Sequence, residues 1–148
     1  MLIIAHRGNL DGPNKERENS PKYINEAIAK GYHVEIDLRL KDDKYYLGHD
    51  KATYEITFKW LLERRGSLFI HIKDPEILKE LTFVGLQYFA HDKEDWAITS
   101  LFLGWTVHKK YLNESFIWVI NDKKEDLSNI KLYGICTDYA NYYHTLQK

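Results

Sequence analysis

The sequence predicts an α/β protein that is built on a parallel sheet and forms one domain over residues 1–148. Apolar runs of strand length alternate with stretches of helical periodicity along the chain. Continuous apolar strands are typical of sheets covered on both faces, and their alternation with helices favours parallel pairing. The length of 148 residues is that of a single domain.

The first half of the chain contains the clearest elements. A helix is predicted over residues 21–30, where Asn19 or Ser20 can cap the start and Pro21 suits the first turn. Gly31 can end this helix. The other elements predicted here are strands at residues 2–6, 33–40, 44–47 and 68–73 and helices at residues 58–64 and 75–81.

The second half is predicted to carry shorter elements with fewer helices. Residues 84–115 provide too little chain for complete strand–helix units. Residues 123–127 are predicted to form a charged helical turn. The strands predicted in this half are residues 86–90, 97–99, 105–107, 116–120 and 133–137.

Composition and charge exclude several classes of protein. The formal net charge is −1, whereas a general nucleic-acid binder is usually clearly basic. There is no apolar run of about 18 residues that could span a membrane. No secretory signal is recognised, so a cytoplasmic location is expected. The single cysteine, Cys136, is expected to be a buried thiol in a reducing compartment.

Titratable residues occur at the ends of the predicted strands in the first half. Glu35 and Asp37 are two positions apart in one strand and therefore share a face. Adjacent carboxylates repel each other unless a cation lies between them, and hard oxygen ligands suit Mg²⁺ or Ca²⁺. The alternative is an ordinary strand with a salt-bridged polar face. His6 at the end of the first strand and His49 after the hairpin favour the metal site.

The motifs around these residues resemble those of the glycerophosphodiester phosphodiesterase family. The similar segments are Ala5-His6-Arg7-Gly8, Glu18-Asn19-Ser20, Glu35-Ile36-Asp37, His49-Asp50, Trp118-Val119-Ile120-Asn121 and Thr137-Asp138-Tyr139. The sequence departs from the family at His71, where the third strand usually carries a glutamate. It departs again at Arg17 and Ala140, where the family has prolines. Some unusually short stand-alone relatives share the His-x-Lys pattern of His71 and Lys73.

The resemblance implies a TIM-type (β/α) barrel. Such barrels typically have about 250 residues, so this chain is expected to form a trimmed barrel with reduced or missing helices in its second half. One flank of that barrel would be uncovered, and a homodimer could cover it. The chemistry is expected at the C-terminal ends of the strands.

The resemblance also implies roles for the candidate residues. His6 and His49 would be the catalytic acid and base, in either order, because histidine titrates near neutral pH. Arg7 and Lys73 would bind phosphate oxygens. The residues expected to support this group are Glu18, Asn19 and Asp50.

One divalent cation is the implied cofactor. Glu35 and Asp37 would hold Mg²⁺ or Ca²⁺. If His71 is a third ligand, its imidazole shifts the preference toward Mn²⁺ or Zn²⁺. The alternatives are that His71 contacts phosphate instead, or that the metal site is defective.

The expected function is metal-dependent hydrolysis of a glycerophosphodiester-like or phospholipid-derived substrate by way of a cyclic phosphate, or a lyase reaction that stops at the cyclic phosphate. One alternative is an inactive binding module for a phosphorylated sugar or lipid headgroup, and another is a small structural partner. His91 and Asp92 are a further candidate pair. The other histidines, interpreted as incidental, are His33, His108 and His144.

Overall fold

The computed structural model describes residues 1–82 and 84–147, which form a curled mixed sheet with four helices. The strands are β1 Leu2–His6, β2 His33–Lys41, β3 Lys44–Leu47, β4 Tyr54–Ile56, β5 Leu68–Ile72, β6 Gln87–Phe89, β7 Trp96–Ile98, β8 Gly104–Thr106, β9 Phe116–Ile120 and β10 Gly134–Thr137. The helices are α1 Pro21–Ala29, α2 Phe58–Glu63, α3 Leu78–Leu81 and α4 Ala140–Thr145, with 3₁₀ turns at Pro75–Ile77 and Lys109–Tyr111.

The central strands of the sheet run parallel. Their order is β6-β5-β2-β1-β10-β9-β8, and β7 extends the sheet by pairing antiparallel with β8. The strands β3 and β4 form a hairpin that continues antiparallel from the far end of β2. The C-terminal ends of the parallel strands therefore meet at one edge, beside the start of the hairpin.

The prediction of a trimmed TIM-type barrel was wrong. The sheet curls through part of a barrel, and helices do not alternate with its strands. In the described part of the chain, the helical segments after α3 are the 3₁₀ turn at Lys109–Tyr111 and α4. The strands β6, β7 and β8 have three residues each. The chain between them is too short for covering helices, and it forms an antiparallel pair instead.

The loop between β1 and α1 closes on itself at the strand ends. Ser20 caps α1 by accepting a hydrogen bond from the Tyr23 N–H at 3.3 Å, and Pro21 occupies the first turn. Arg7 and Asn19, at the two ends of the loop, have left-handed backbones with φ of 53° and 62°. The Asn19 N–H donates to the Arg7 carbonyl at 3.1 Å. The loop thus holds both side chains next to β2.

Apolar side chains pack on both faces of the sheet. The larger cluster includes the helix residues Ile24, Leu61 and Tyr143. The smaller cluster fills the inside of the curl and comprises Ile4, Phe69, Phe89, Ala97, Trp105, Ile117 and Cys136. Cys136 is buried, as expected, and burial raises the pKa of its thiol well above the ordinary value.

Three local features differ from the sequence predictions. Residues 123–127 do not form a helical turn, because Asp122 and Asp126 accept hydrogen bonds from the N–H groups of Lys124 and Ser128, both at 2.9 Å. Such local bonds compete with helix formation. The other two differences are the short elements β4 and α4, which the sequence pattern does not predict.

Within residues 1–82 and 84–147, no helix combines the length and apolar character needed to cross a bilayer. The end of the sheet at β7 leaves several apolar side chains exposed. Trp96 and Ile98 are half-exposed, and Phe102 in the following turn is 87% exposed.

Candidate functional site

Parallel pairing of β1, β2 and β5 brings polar side chains together at one edge of the sheet. His6 of β1 lies opposite Glu35 of β2, and Asp37 of β2 lies opposite His71 of β5. Glu35 and Asp37 share a face by their spacing, and both are buried. The strand pairing therefore brings these four side chains, which come from separate parts of the sequence, into one cluster.

Glu35, Asp37 and His71 form a group that could hold a metal ion. Each offers one ligand atom, and these atoms lie within 4.8 Å of one another. His71 Nδ1 lies 3.3 Å from Asp37 Oδ1 and 3.8 Å from Glu35 Oε1. Among the described residues, no hydrogen bond reaches the buried atoms Glu35 Oε2 and Asp37 Oδ1. In this part of the chain, Glu35 Oε2 has no donor within hydrogen-bond distance, and a buried carboxylate oxygen of this kind fits a divalent cation. Asp37 Oδ1 lies 3.2 Å from Lys73 Nζ, so a cation there would share this oxygen with the lysine.

Asp37 is the most heavily compensated charge in the site. Arg7 Nε lies 3.0 Å from its Oδ2, and Lys73 Nζ lies 3.2 Å from its Oδ1. Asn19 donates to Oδ2 at 2.9 Å and accepts the Asp37 N–H at 3.0 Å. Burial alone would raise the pKa of Asp37, but the His71 ring and the two cations outweigh it and hold the pKa well below its ordinary value.

Glu35 has the opposite electrostatic environment. Burial and the neighbouring charge of Asp37 raise the pKa of Glu35 to about 7, although His6, Arg7 and Lys73 oppose this shift. The Glu35 carboxyl thus binds a proton near neutral pH until another cation replaces that proton.

Metal binding is expected to release a proton from Glu35. The folded pKa of about 7 exceeds the ordinary value of 4.5, so the metal-free fold loses stability as pH rises between these values. Metal affinity should increase over the same range and level off above about pH 7. Calorimetric titration with Mn²⁺ below pH 7, where Glu35 still holds its proton, in two buffers of different ionisation enthalpy measures the released proton. Equal heats in both buffers would contradict the assignment of Glu35 as a ligand.

His6 is oriented by a carboxylate from Asp138, the residue that directly follows the last strand. Its Nδ1 lies 2.8 Å from Asp138 Oδ1, and Asp138 also accepts a hydrogen bond from Asn9 Nδ2 at 2.8 Å. His6 Nε2 lies 3.8 Å from Glu35 Oε2. Burial would lower the pKa of His6, but the Asp138 hydrogen bond and the Glu35 charge outweigh burial and raise it.

Replacing Asp138 with asparagine is expected to lower the pKa of His6. If the site turns over a substrate, the rate should fall by roughly 10–100-fold, the range typical of a lost carboxylate partner of a functional histidine. The ring would lose its charged partner, so less of it would be protonated at neutral pH. The measurements are the pH–rate profile and the His6 ring nitrogen shifts by NMR. An unchanged profile together with unchanged shifts would show that Asp138 does not act through His6.

Arg7 is fixed from its other side by Glu18. Arg7 Nη1 donates to Glu18 Oε2 at 3.2 Å, and Asn9 Nδ2 donates to Glu18 Oε1 at 2.9 Å. Asn9 thus connects Glu18 to Asp138, and one chain of hydrogen bonds orders both Arg7 and His6.

His49 lies on the loop that follows β3. Arg39 Nε donates to the Gly48 carbonyl at 2.9 Å, and its guanidinium also bonds the His49 carbonyl. Only glycine fits at position 48, because a Cβ there would lie 2.0 Å from the Lys51 carbonyl oxygen. His49 Nδ1 lies 2.7 Å from Asp50 Oδ1, and its side chain is 44% exposed.

A cavity of about 290 Å³ opens over these groups. Six of the predicted site residues line it: His6, Arg7, Glu35, His49, His71 and Lys73. Asp37 lies beneath it, in contact with Arg7 and Lys73. Glu18, Asn19 and Asp50 line an adjoining cavity of about 260 Å³, which shares Arg7 and His49 with the first.

Sequence reasoning assigned no role to three residues that the structure places in contact with the site. Asp138 and Asn9 orient His6 and Glu18. His108 lines the cavity and lies 3.6 Å from Asp95. A signal for Asp138 was present, because it directly follows the last strand within the Thr137-Asp138-Tyr139 segment.

Comparison with known proteins returned no match among protein-family models, curated proteins or solved structures. The site is therefore interpreted from the geometry and charge of its own side chains.

Proposed function

We propose that this protein is a metal-dependent phosphodiesterase that resembles the glycerophosphodiester phosphodiesterase family in its chemistry. The observation that carries this proposal is the buried group of Glu35, Asp37 and His71 beside His6. His6, Glu35 and His71 line one cavity, and Asp37 lies beneath it. Arg7 and Lys73 add two cations at the same point. A cation site, a histidine and two basic groups are the parts needed to bind and cleave a phosphodiester.

Separate side chains would bind the cation and the phosphoryl oxygens. A divalent cation on Glu35 and Asp37 would polarise the phosphoryl group when bound. Arg7 and Lys73 would bind the phosphoryl oxygens and stabilise the charge that develops on them. Glu18 would keep the Arg7 guanidinium in place.

Proton transfer is proposed for His6 and His49. One histidine takes a proton from a free hydroxyl on one of the substrate's two alcohol groups. The oxygen of that hydroxyl then forms a bond to phosphorus. The bond to the other alcohol breaks, and the second histidine gives a proton to the departing oxygen. Water then opens the resulting cyclic phosphate. Asp138 supports this role for His6 because it leaves Nε2 facing the cavity.

A second candidate function is phosphate binding without turnover. Both Arg7 and Lys73 pair with Asp37 in this structure, so the site is partly neutralised by its own cations. The half-exposed position of His49 also favours this alternative. The ligand would then be a phosphorylated sugar or a lipid headgroup.

Hydrolysis assays distinguish the two functions. Glycerophosphodiesters, which carry the attacking hydroxyl, are incubated with Mg²⁺, Ca²⁺, Mn²⁺ or Zn²⁺. Bis(p-nitrophenyl) phosphate, which lacks that hydroxyl, is tested beside them to detect direct attack by water. The variants are His6→Ala, His49→Ala and Glu35→Ala, with the exposed His144→Ala as the control. Metal-dependent turnover that only the control retains is the expected result, and the preferred ion shows whether His71 acts as a ligand. Absence of turnover with every ion would favour the binding function.

We also propose that a second copy of the chain covers the apolar end of the sheet. Trp96, Ile98 and Phe102 are exposed there, and such patches favour association. Light scattering at micromolar concentration is expected to give twice the chain mass of 17.6 kDa, and Phe102→Asp should reduce it to the single mass. A monomeric wild type would contradict this proposal. The cytoplasmic location stays a prediction.

A further inference from the structure

The strand order places a further histidine on the far side of the metal group. Around the curl, the strand ends follow one another as β6, β5, β2 and β1. His91 comes two residues after β6, and His71 belongs to β5. Glu35 and Asp37 belong to β2, and His6 ends β1. The carboxylates and His71 therefore lie between His6 and His91.

Ring contacts hold His91 in this position. Its ring centroid lies 4.6 Å from that of His71, with 24° between the planes. It also lies 6.3 Å from the Phe89 ring, which itself stacks on His71 at 4.8 Å. His91 lines the same cavity as His6 and His49. The hydrogen bonds of the described residues do not include one from either ring nitrogen of His91, so its N–H can reach a ligand.

We propose that His91 is a further catalytic residue, which donates a hydrogen bond to the ester oxygen of the substrate that faces away from His6. The inference rests on the proposed phosphodiesterase function. In phosphoryl transfer the entering and leaving oxygens lie roughly in line on opposite sides of phosphorus. If one of these oxygens faces His6, the other faces β6 and His91.

The imidazole of His91 suits this contact in either protonation state. A neutral imidazole has one N–H donor and a charged one has two. With His6 as the base, the oxygen that faces His91 is the leaving oxygen, and a donor there stabilises the negative charge that develops as its bond to phosphorus breaks. The rate gain from this hydrogen bond should be larger for an alkoxide leaving group than for p-nitrophenolate, because p-nitrophenolate delocalises its negative charge over the ring. His6 and His49 keep their roles in proton transfer.

The test replaces the donor and keeps the ring. His91→Phe retains an aromatic side chain against His71 and removes the N–H, whereas His91→Gln retains a donor. The control is His108→Phe, since His108 lines the same cavity next to Asp95. Calorimetry measures Mn²⁺ affinity and then the affinity of the Mn²⁺-loaded protein for inorganic phosphate. Turnover is compared between two phosphodiesters of glycerol, one with an alkyl and one with a p-nitrophenyl leaving group, so that both carry the attacking hydroxyl.

We expect His91→Phe to bind Mn²⁺ like the wild type and to bind phosphate about tenfold more weakly. Its turnover should fall further for the alkyl diester than for the p-nitrophenyl diester, and His91→Gln should recover part of the loss. Wild-type phosphate affinity in His91→Phe would overturn the proposal. Loss of Mn²⁺ binding in that variant would also overturn it, because His91 would then act only by supporting His71. A phosphate effect without turnover in any variant would refute the phosphodiesterase function and leave the contact intact.

Discussion

Replacing Asp37 with alanine is expected to destabilise the fold by about 3 kcal/mol and to abolish metal binding. The variant would leave Arg7 and Lys73 side by side without the carboxylate that both contact at 3.0 and 3.2 Å. Asn19 would lose the hydrogen bond that its Nδ2 donates to Asp37 Oδ2. It would keep the hydrogen bond from the backbone N–H of residue 37, so the loop before α1 would lose one of its two links to this position. Urea denaturation of the metal-free protein, followed by circular dichroism, measures the change.

Glu35→Gln is the matched comparison for this prediction. Burial raises the pKa of Glu35 to about 7, so its charge opposes folding at and above neutral pH. Removing that charge is expected to leave the metal-free fold unchanged or more stable, while metal binding is still lost. Asp37→Ala should therefore destabilise the metal-free fold, whereas Glu35→Gln should not. Equal destabilisation by both substitutions would contradict the electrostatic description of the site.

Replacing His6 with alanine is expected to reduce kcat by roughly 10²–10⁴-fold, the range typical of a lost proton-transfer group. His6 contacts Asp138 at 2.8 Å and faces the cavity beside Glu35. Metal affinity should change little, because His6 does not belong to the group of potential ligands. Steady-state kinetics on an alkyl phosphodiester and calorimetric metal titration provide the two measurements.

The interpretation of His6 depends on whether kcat falls while the metal affinity is retained. A large loss of kcat with retained metal binding supports proton transfer by His6. If metal binding is lost in parallel, His6 would instead be part of the metal site. His144→Ala is the control for general effects of removing a histidine, since His144 is exposed and packs against Tyr32.

The part of the site that could be predicted from sequence is the part determined by local geometry. The spacing of Glu35 and Asp37 placed both on one face of a strand, and the cap and proline of α1 placed Asn19 at the start of a helix. These features depend on neighbouring residues in the chain. Short-range periodicity is enough to identify them.

The features that could not be predicted depend on contacts between distant residues. Asp138 reaches His6 across 132 positions of the sequence, and His91 reaches His71 through pairing of β5 with β6. The barrel prediction failed for a related reason. Whether a three-residue strand such as β7 pairs parallel or antiparallel is decided by the length of its connections and by its partners, and the residues of the strand itself carry little information about it.

Titration of the metal-free protein with Mn²⁺, with bound metal and phosphodiester turnover measured in the same samples, tests the central claim most directly. The predicted result is one bound ion per chain, with turnover that rises in step with occupancy and is absent in Glu35→Gln. Turnover that persists in the metal-free protein would contradict the claim. Metal bound to Glu35→Gln with the same affinity as to the wild type would contradict it as well.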